Sequence, residues 1–413
     1  MKKRILSLAL TLSLLMAALS GCGSAAATDL MKGVAAKHVE IPSDFAAGSA
    51  VATDFAVRLF HKSAEEGKNT LISPLSVLSA LAMTMNGAQG ETRNQMEEAL
   101  GLPAEELNAW LHAYMNDLVQ SEQSKLSLAN SIWFTEDEAF TVEEGFLQTN
   151  ADYYGADIYQ APFDSSTKNA INKWVKDKTD GMIEEIVNEI PPLAVMYLVN
   201  ALAFDAEWST IYKDRQVRDG IFTKEDGTEQ EIELMHSSEY AYLEDGNATG
   251  FLKYYKGGNY AFVALLPNEG VSVAEYVAGL SGEHLQTMLA SIVDVEVNAA
   301  IPRFETEYAV EMSETLKRMG IADAFDLDKA DFSSLGHHPM GIYISRVLHK
   351  TYIAVDEKGT RAGAATSVEM AAGAAAPMEE PKVVILDRPF VYMLIDCETN
   401  LPFFMGTMMD MAG

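Results

Sequence analysis

The chain has 413 residues and is 48% hydrophobic, which fits one large globular domain or two small ones. Its 60 acidic residues outnumber its 30 Lys and Arg residues, and the formal net charge of −30 at pH 7 argues against nucleic acid or anionic lipid as a partner. Two cysteines, Cys22 and Cys397, are too few for a disulfide framework.

The N-terminus has the pattern of a secretory signal. Three basic residues at positions 2–4 precede an apolar run over residues 5–19, and small residues then lead directly to Cys22. This ending resembles the lipobox of bacterial lipoproteins, in which Cys22 carries lipid and becomes the mature N-terminus; an ordinary secretory signal with cleavage nearby is the alternative. We expect residues 1–21 to be a lipoprotein signal peptide and residues 22–48 to be a flexible tether. The protein is then expected on the extracellular face of the bacterial cell membrane, or secreted.

Beyond residue 48, helical and strand-like patterns predict one folded unit. Apolar spacing predicts a helix from Val51, and Ser73 and Pro74, a natural N-cap and first helical residue, predict the start of a buried second helix. Strand-like apolar runs follow at residues 126–133, 195–204, 260–266, 342–355 and 383–395. Segregated helices and strands, without an internal repeat or a second domain boundary, predict a single α+β domain over residues 49–413.

Four polar residues lie at the edges or centres of these apolar elements. Asn200 lies within a strand-like run, and a buried Asn without partners costs about 1–3 kcal/mol, so we expect it to be hydrogen-bonded. His349 lies in a similar run, where a satisfied core histidine is the simplest interpretation. If these two residues meet Ser73 and Ser76, the four can satisfy one another in a network that either locks a sheet or lets it part. The sequence alone does not place them together.

Residues 357–381 combine two contradictory patterns. Their Ala- and Gly-rich composition cannot bury enough surface for a core, which predicts an exposed loop. Counted with a period of two over residues 360–370, however, both charges fall on one face and both large apolar residues on the other. Successive side chains of a strand alternate between faces, so this loop also has the pattern of a strand with one buried face.

Catalytic signatures are missing from the sequence. It has no phosphate-binding glycine motif and no Gly-x-Ser-x-Gly elbow, and the pair His337 and His338 is interpreted as a solvated turn rather than a metal site. We expect no enzyme activity, no metal and no cofactor.

Eight stretches, in order along residues 51–410, resemble the serpin family. They are 69–76 (NTLISPLS), 130–133 (NSIW), 179–183 (TDGMI), 199–208 (VNALAFDAEW), 262–270 (FVALLPNEG), 349–360 (HKTYIAVDEKGT), 388–390 (RPF) and 402–406 (PFFMG). The resemblance implies a serpin fold with three β-sheets, eight to nine helices and an exposed reactive-centre loop before the last strands.

The resemblance also implies roles for individual residues. It places Ser73, Ser76, Asn200 and His349 in the shutter beneath the main sheet. It places Trp208 in the breach, where the loop first enters that sheet. It implies a hinge made of Glu357, Gly359, Thr360, Ala362, Gly363, Ala364 and Ala365, whose mostly small side chains suit insertion. Arg361 differs from the acidic residue usual at its position, but the alternation places its side chain on the face that points to solvent, so we expect it to be tolerated.

The family mechanism would resolve the contradiction in the loop. A target serine protease attacks the loop of a monomeric inhibitor as a substrate and forms a covalent acyl-enzyme. The freed loop then inserts as a new strand, and about 14 residues at about 3.3 Å each carry its end roughly 45 Å. The protease active site is distorted before water hydrolyses the ester. The uninserted fold would therefore be metastable, held by a kinetic barrier.

The position of the reactive bond decides which protease is trapped. Counting 16 residues on from Glu357 reaches Gly373, with Ala372 and Ala374 as neighbouring candidates. Small residues on both sides of the candidate bond suit the narrow apolar pocket of elastase-like serine proteases. The alternative is a non-inhibitory serpin-fold binding protein whose loop is cleaved as a substrate. A third class, a solute-binding lipoprotein, shares the lipobox and the tether but leaves the serpin-like stretches unexplained.

Overall fold

The computed structural model describes residues 27–39, 46–118, 124–191, 194–360 and 380–412. Over these ranges the chain forms nine α-helices, two short 3-10 helices and three β-sheets, which confirms the expected α+β class. The helices are α1 (Ala46–Ser63), α2 (Pro74–Met85), α3 (Gly90–Leu100), α4 (Ala104–Asp117), α5 (Glu144–Tyr154), α6 (Ser165–Lys178), α7 (Val273–Gly279), α8 (Gly282–Ala290) and α9 (Ser313–Arg318).

Eighteen strands lie in the described part of the chain. They are β1 (Thr28–Asp29), β2 (Thr70–Ile72), β3 (Ser124–Thr135), β4 (Thr141–Val142), β5 (Asp157–Ala161), β6 (Met196–Glu207), β7 (Val217–Thr223), β8 (Glu229–Glu244), β9 (Ala248–Tyr254), β10 (Tyr260–Pro267), β11 (Val293–Pro302), β12 (Phe304–Glu311), β13 (Gly336–His337), β14 (Arg346–Val355), β15 (Gly359–Thr360), β16 (Lys382–Ile385), β17 (Phe390–Asp396) and β18 (Pro402–Met408). Seven of them form the main sheet, in the order β1-β5-β3-β6-β15-β14-β12. Nine form the second sheet, in the order β16-β11-β8-β9-β10-β17-β18-β2 with β7 beside β8, and β13 pairs with β4.

Two predicted strand runs have different bounds in the structure. The run 383–395 is two strands, β16 and β17, separated by a segment that contains Pro389. Proline has no backbone N–H for a sheet ladder, so it interrupts the run. The run 342–355 becomes a strand only from Arg346 onward.

The main sheet has two ends that matter for function. At its lower end, one row crosses β1, β5, β3 and β6 through Thr28, Gln160, Phe134 and Met196. At its upper end, another row crosses β3, β6 and β15 through Ser124, Ala206 and Thr360. From Met196 to Ala206, β6 advances ten residues, about 33 Å at roughly 3.3 Å per residue.

Helix α2 lies beneath the main sheet. Ser73 Oγ accepts a hydrogen bond from the backbone N–H of Ser76, and Pro74 is the first helical residue, as the sequence predicts. Every residue of α2 is buried, because the helix packs against β3 and β6 on one side and β18 of the second sheet on the other. This position brings the start of α2 to the centre of the domain.

Part of the predicted tether lies against the domain. Residues 27–39 belong to the range 22–48, for which we expected flexibility, yet β1 pairs with β5 and the Leu30 N–H donates to the Ile158 carbonyl at 2.9 Å. The Lys37 N–H donates to Asp152 Oδ1 at 2.7 Å. β5 would otherwise be an edge strand with unpaired backbone groups, and the N-terminal segment satisfies some of them. The first helix also begins three residues before position 49.

Candidate functional site

A tight turn delivers the predicted hinge to the main sheet. After β14 ends at Val355, Asp356 Oδ1 accepts hydrogen bonds from the N–H groups of Lys358 at 2.7 Å and Gly359 at 3.1 Å. The Asp356 N–H also donates to the Gly359 carbonyl at 3.0 Å. This turn reverses the chain, so that β15 starts beside the strand that the chain has just left.

β15 lies between β6 and β14. Gly359 is opposite Glu207, and Thr360 is opposite Ala206 on one side and Val355 on the other. A Cβ on Gly359 would lie 2.0 Å from the Ala206 carbonyl oxygen, so only glycine fits this approach. Thr360 is 1% exposed, and its hydroxyl is hydrogen-bonded to that of Tyr255. The Thr360 side chain is therefore buried, as the sequence predicts, whereas the alternation beyond it lies outside the described residues.

Below β15 the main sheet is closed. β6 and β14 pair directly and in parallel, from Tyr197 opposite Arg346 to Leu202 opposite Thr351. The two strands are therefore parted at the upper end by two hinge residues and joined through the middle. A longer inserted strand would have to separate this pairing progressively from the top.

Trp208 lies at the upper end and holds the turn. Its indole Nε1 donates to the Asp356 carbonyl at 2.9 Å, and its backbone N–H donates to the Lys358 carbonyl at 2.8 Å. The ring is fully buried and stacks on Tyr255, with ring centroids 4.4 Å apart and planes 13° from parallel. Since Tyr255 also bonds Thr360, the aromatic pair supports both the turn and the first inserted residue.

Glu357 is held from two sides. Its carboxylate forms an ion pair with Arg303, which is also paired with Glu233 at 2.7 Å. Its carbonyl accepts a hydrogen bond from the Tyr212 N–H at 2.9 Å. The three residues before Gly359 are therefore each bonded to the body of the domain.

The four polar residues expected in the shutter meet beneath the middle of the main sheet. Asn200 and His349 are opposite each other on β6 and β14, and His349 Nδ1 is hydrogen-bonded to Asn200 Oδ1. The Ser73 N–H donates to His349 Nε2 at 3.0 Å, and Ser76 adjoins through its bond to Ser73. The network thus links helix α2 to both strands that the loop would separate.

The hydrogen bonds fix the tautomer of His349. A backbone N–H can only donate, so Nε2 is the acceptor and Nδ1 carries the proton that Asn200 Oδ1 accepts. Burial lowers the pKa of His349 from 6.5 to about 3, so the ring is neutral at pH 7. A protonated ring would lose the bond from Ser73 and leave a charge between the sheet and α2.

A sequence model described as "Serpin (serine protease inhibitor)" matches residues 50–411. The chain belongs to the serpin family. An uncharacterized serpin-like protein of Thermococcus kodakarensis is 30% identical over 364 residues, which cover 86% of this chain and 84% of that protein. The leukocyte elastase inhibitor of Bos taurus is 30% identical over 375 residues, which cover 87% of this serpin and 98% of that protein.

Solved serpin structures match the fold of this serpin. The native state of tengpin, a thermophilic serpin, has a TM-score of 0.88 and 48% identity, over 93% of this chain and 99% of tengpin. The latent state of tengpin has a lower TM-score of 0.79, with 91% and 100% of the chains covered. Human thyroxine-binding globulin, at 25% identity, has a TM-score of 0.80 over 89% and 99%. The conformation described here is therefore more similar to the native state of tengpin than to its latent state.

Several site residues of this serpin were not predicted from the sequence. Asn130 on β3 lies in register with Asn200, and its amide adjoins Ser76 Oγ at 3.4 Å; the NSIW stretch was the signal that pointed to it. The others, Tyr255, Arg303 and Lys253, lie at the upper end of the main sheet. They stand in strand-like or loop sequence with no local pattern that marks them.

Other predicted residues lie outside the described part of the chain. These are the lipidation site Cys22, the hinge residues Ala362, Gly363, Ala364 and Ala365, and the reactive-bond candidates Ala372, Gly373 and Ala374. Their roles remain predictions, as do those of the shutter, the breach and the described hinge residues.

The described residues contain no cluster of three or more His, Cys, Asp or Glu that could hold a metal ion. His338 is paired with Asp137 at 3.4 Å, whereas His337 is exposed. Cys397 is a free, partly buried thiol, and burial and the adjacent Asp396 raise its pKa to about 12. Among the helices that the structure describes, none is long and apolar enough to cross a membrane.

Proposed function

We propose that this serpin is a suicide inhibitor of serine proteases with a preference for elastase-like enzymes. The observation that carries the proposal is the position of β15, which already occupies the top of the gap between β6 and β14. Further insertion needs no change of direction, because β15 is antiparallel to both neighbours. Small residues then follow in the sequence, at 362–365.

The chemistry leaves the serpin cut and the protease acylated. The protease serine oxygen attacks the carbonyl carbon of the reactive residue, with Gly373, Ala372 and Ala374 as candidates. An ester forms, the peptide bond breaks, and the nitrogen takes a proton to become the amine of the C-terminal fragment. That fragment contains β16, β17 and β18, which lie within the second sheet, so it stays bound until the protein is denatured.

Elastase preference follows from the small residues around position 373 and from the similarity to the bovine leukocyte elastase inhibitor. To test it, the soluble domain is incubated with an elastase and analysed on denaturing gels and by mass spectrometry. We expect a band at the mass of the protease plus the serpin without its C-terminal fragment, and a released peptide that begins between residues 373 and 375. Cleavage without this band by elastase-, subtilisin- and chymotrypsin-like enzymes would instead establish the alternative, a non-inhibitory binding protein.

We further propose that lipid on Cys22 anchors the serpin at the extracellular face of the bacterial membrane. The register of β1 supports a defined orientation, since Thr28 lies in the lower row of the main sheet and Thr360 in the upper row. Cys22 stands five positions before Ala27, a reach of at most about 18 Å. The hinge end would therefore face away from the membrane, toward soluble proteases.

The anchor is tested by labelling cells that express the full chain with a radioactive fatty acid. The wild type should be labelled and partition with membranes, and Cys22→Ser should abolish both. Cys397→Ser, the other cysteine of the chain, is the matched control and should leave both unchanged. If the wild type carries no label, the proposed lipid anchor is wrong and the N-terminus is an ordinary secretory signal.

A further inference from the structure

Lys253 on β9 is a buried cation at the upper end of the main sheet. Only 3% of its side chain is exposed, and its Nζ lies 2.7 Å from Glu239 Oε1. The same Nζ lies 4.4 Å from the ring centroid of Tyr212 and 5.5 Å from that of Trp208. One ammonium group thus contacts a carboxylate and two aromatic rings.

These two aromatic residues are the ones that hold the turn before β15. Tyr212 donates its backbone N–H to the Glu357 carbonyl, and Trp208 bonds the carbonyls of Asp356 and Lys358. Lys253 therefore contacts the residues that fix all three positions before Gly359. It acts on the hinge through Trp208 and Tyr212.

We infer that Lys253 is a positioning residue that keeps the turn 356–358 at the mouth of the gap between β6 and β14, and so speeds insertion of the cleaved loop. This inference rests on the proposed inhibitory function. Glu239 fixes the ammonium group, since Ser237 Oγ also donates to that carboxylate at 2.7 Å. Ser237 in turn adjoins the Tyr212 hydroxyl at 3.4 Å, which closes the cluster around the ring.

The position of the turn affects one branch of the reaction. After acylation, insertion of the loop competes with hydrolysis of the ester by water, which releases active protease and a cut serpin. Insertion starts at Thr360, so a displaced turn slows the first step of strand addition. Hydrolysis depends on the protease alone and is unchanged. The ratio of cut serpin to trapped complex therefore reports the position of the turn.

The test replaces Lys253 by Met, which keeps an unbranched side chain of nearly the same length and removes the ammonium group. We expect insertion to slow about tenfold, which corresponds to the loss of about 1.4 kcal/mol, within the range of cation–π contacts of a desolvated ammonium. The ratio of cut serpin to complex should rise by the same factor. The rate of loop cleavage should not change, because the reactive bond is distant in sequence from this cluster.

Lys256→Met is the matched control. Lys256 lies three residues away, is paired with Glu207 only at 3.7 Å and is 41% exposed. Its replacement should leave the ratio unchanged. Lys253→Arg keeps a cation at this position and should retain part of the insertion rate that Lys253→Met loses. A loss of stability alone would not explain such a difference. An unchanged ratio in Lys253→Met, with the melting temperature of the wild type, would overturn the inference.

A second readout separates this inference from the proposed function. The gain in thermal stability after the loop is cut by any protease can be followed in time, without a trapped complex. If the wild type gains stability but traps no protease, the inhibitory proposal fails. The rate of insertion can still be compared between the wild type and Lys253→Met. A slower gain in Lys253→Met would then support the positioning role, and an equal rate would refute it. If Lys253→Met does not fold, Glu239→Gln takes its place in both assays.

Discussion

Replacing Gly359 by Ala tests whether the hinge must lie between β6 and β14. A Cβ at this position would lie 2.0 Å from the Ala206 carbonyl oxygen and 2.9 Å from the Glu207 Cα. Both are backbone atoms of the central strand, so rotation of a side chain cannot relieve the contact. β15 must leave the gap, or β6 must shift along with its pairing to β3.

The cost can be estimated from the hydrogen bonds that hold β15 and its turn. They include the bond from Asp356 N–H to the Gly359 carbonyl, the bond from Trp208 N–H to the Lys358 carbonyl, and the bond between Thr360 and Tyr255. Each contributes about 0.5–1.5 kcal/mol net, so loss of two or three costs about 2–3 kcal/mol. If insertion needs them formed, its rate falls about 30- to 150-fold.

The assay is the number of inhibitor molecules consumed for each protease molecule trapped. We expect Gly359→Ala to be cut at the normal rate but to raise this number strongly, because hydrolysis overtakes insertion. Gly279→Ala is the control, since a Cβ there meets no atom within 4 Å. If Gly359→Ala traps the protease as efficiently as the wild type, the position of β15 between β6 and β14 has no part in insertion.

Three further predictions follow from the same geometry. Thr360→Arg should turn the inhibitor into a substrate, because a charge would enter a site that is 1% exposed; Thr360→Ser should still inhibit, and equal inhibition by both variants would refute the hinge assignment. His349 binds its proton with a pKa of about 3 when folded and 6.5 when unfolded, so the unfolded state takes up more protons between these values and acid destabilises the fold. The free energy of unfolding should fall by about 1.4 kcal/mol per pH unit below pH 6.5, about 2 kcal/mol by pH 5, and denaturant midpoints should shift less in His349→Gln. Equal shifts in the two proteins would contradict the buried neutral ring. Finally, cleavage of the loop should raise the melting temperature sharply, and an unchanged value would mean that the cut loop stays outside the sheet.

The sequence determined the features that depend on neighbouring residues. The cap at Ser73 and the proline after it specify where helix α2 begins, since both act within one helical turn. The apolar residues on both sides of Asn200 predicted a central strand, and β6 is buried at nearly every position. The alternation from Thr360 predicts a strand with one buried face, and it stays a prediction because β15 ends at Thr360, at the limit of the described residues.

Only the tertiary structure decided which distant residues meet. His349 bonds residues that precede it by 276 and 149 positions, and no local pattern encodes that pairing. The N-terminal segment shows the same limit, since its composition predicts a flexible tether while an unpaired edge at β5 gives part of it a place in the sheet. Lys253 gains its environment from two other parts of the chain, residues 208–212 and Glu239. Local preferences are fixed by short-range sterics and hydrogen bonding, whereas these contacts form only when packing brings complete elements together.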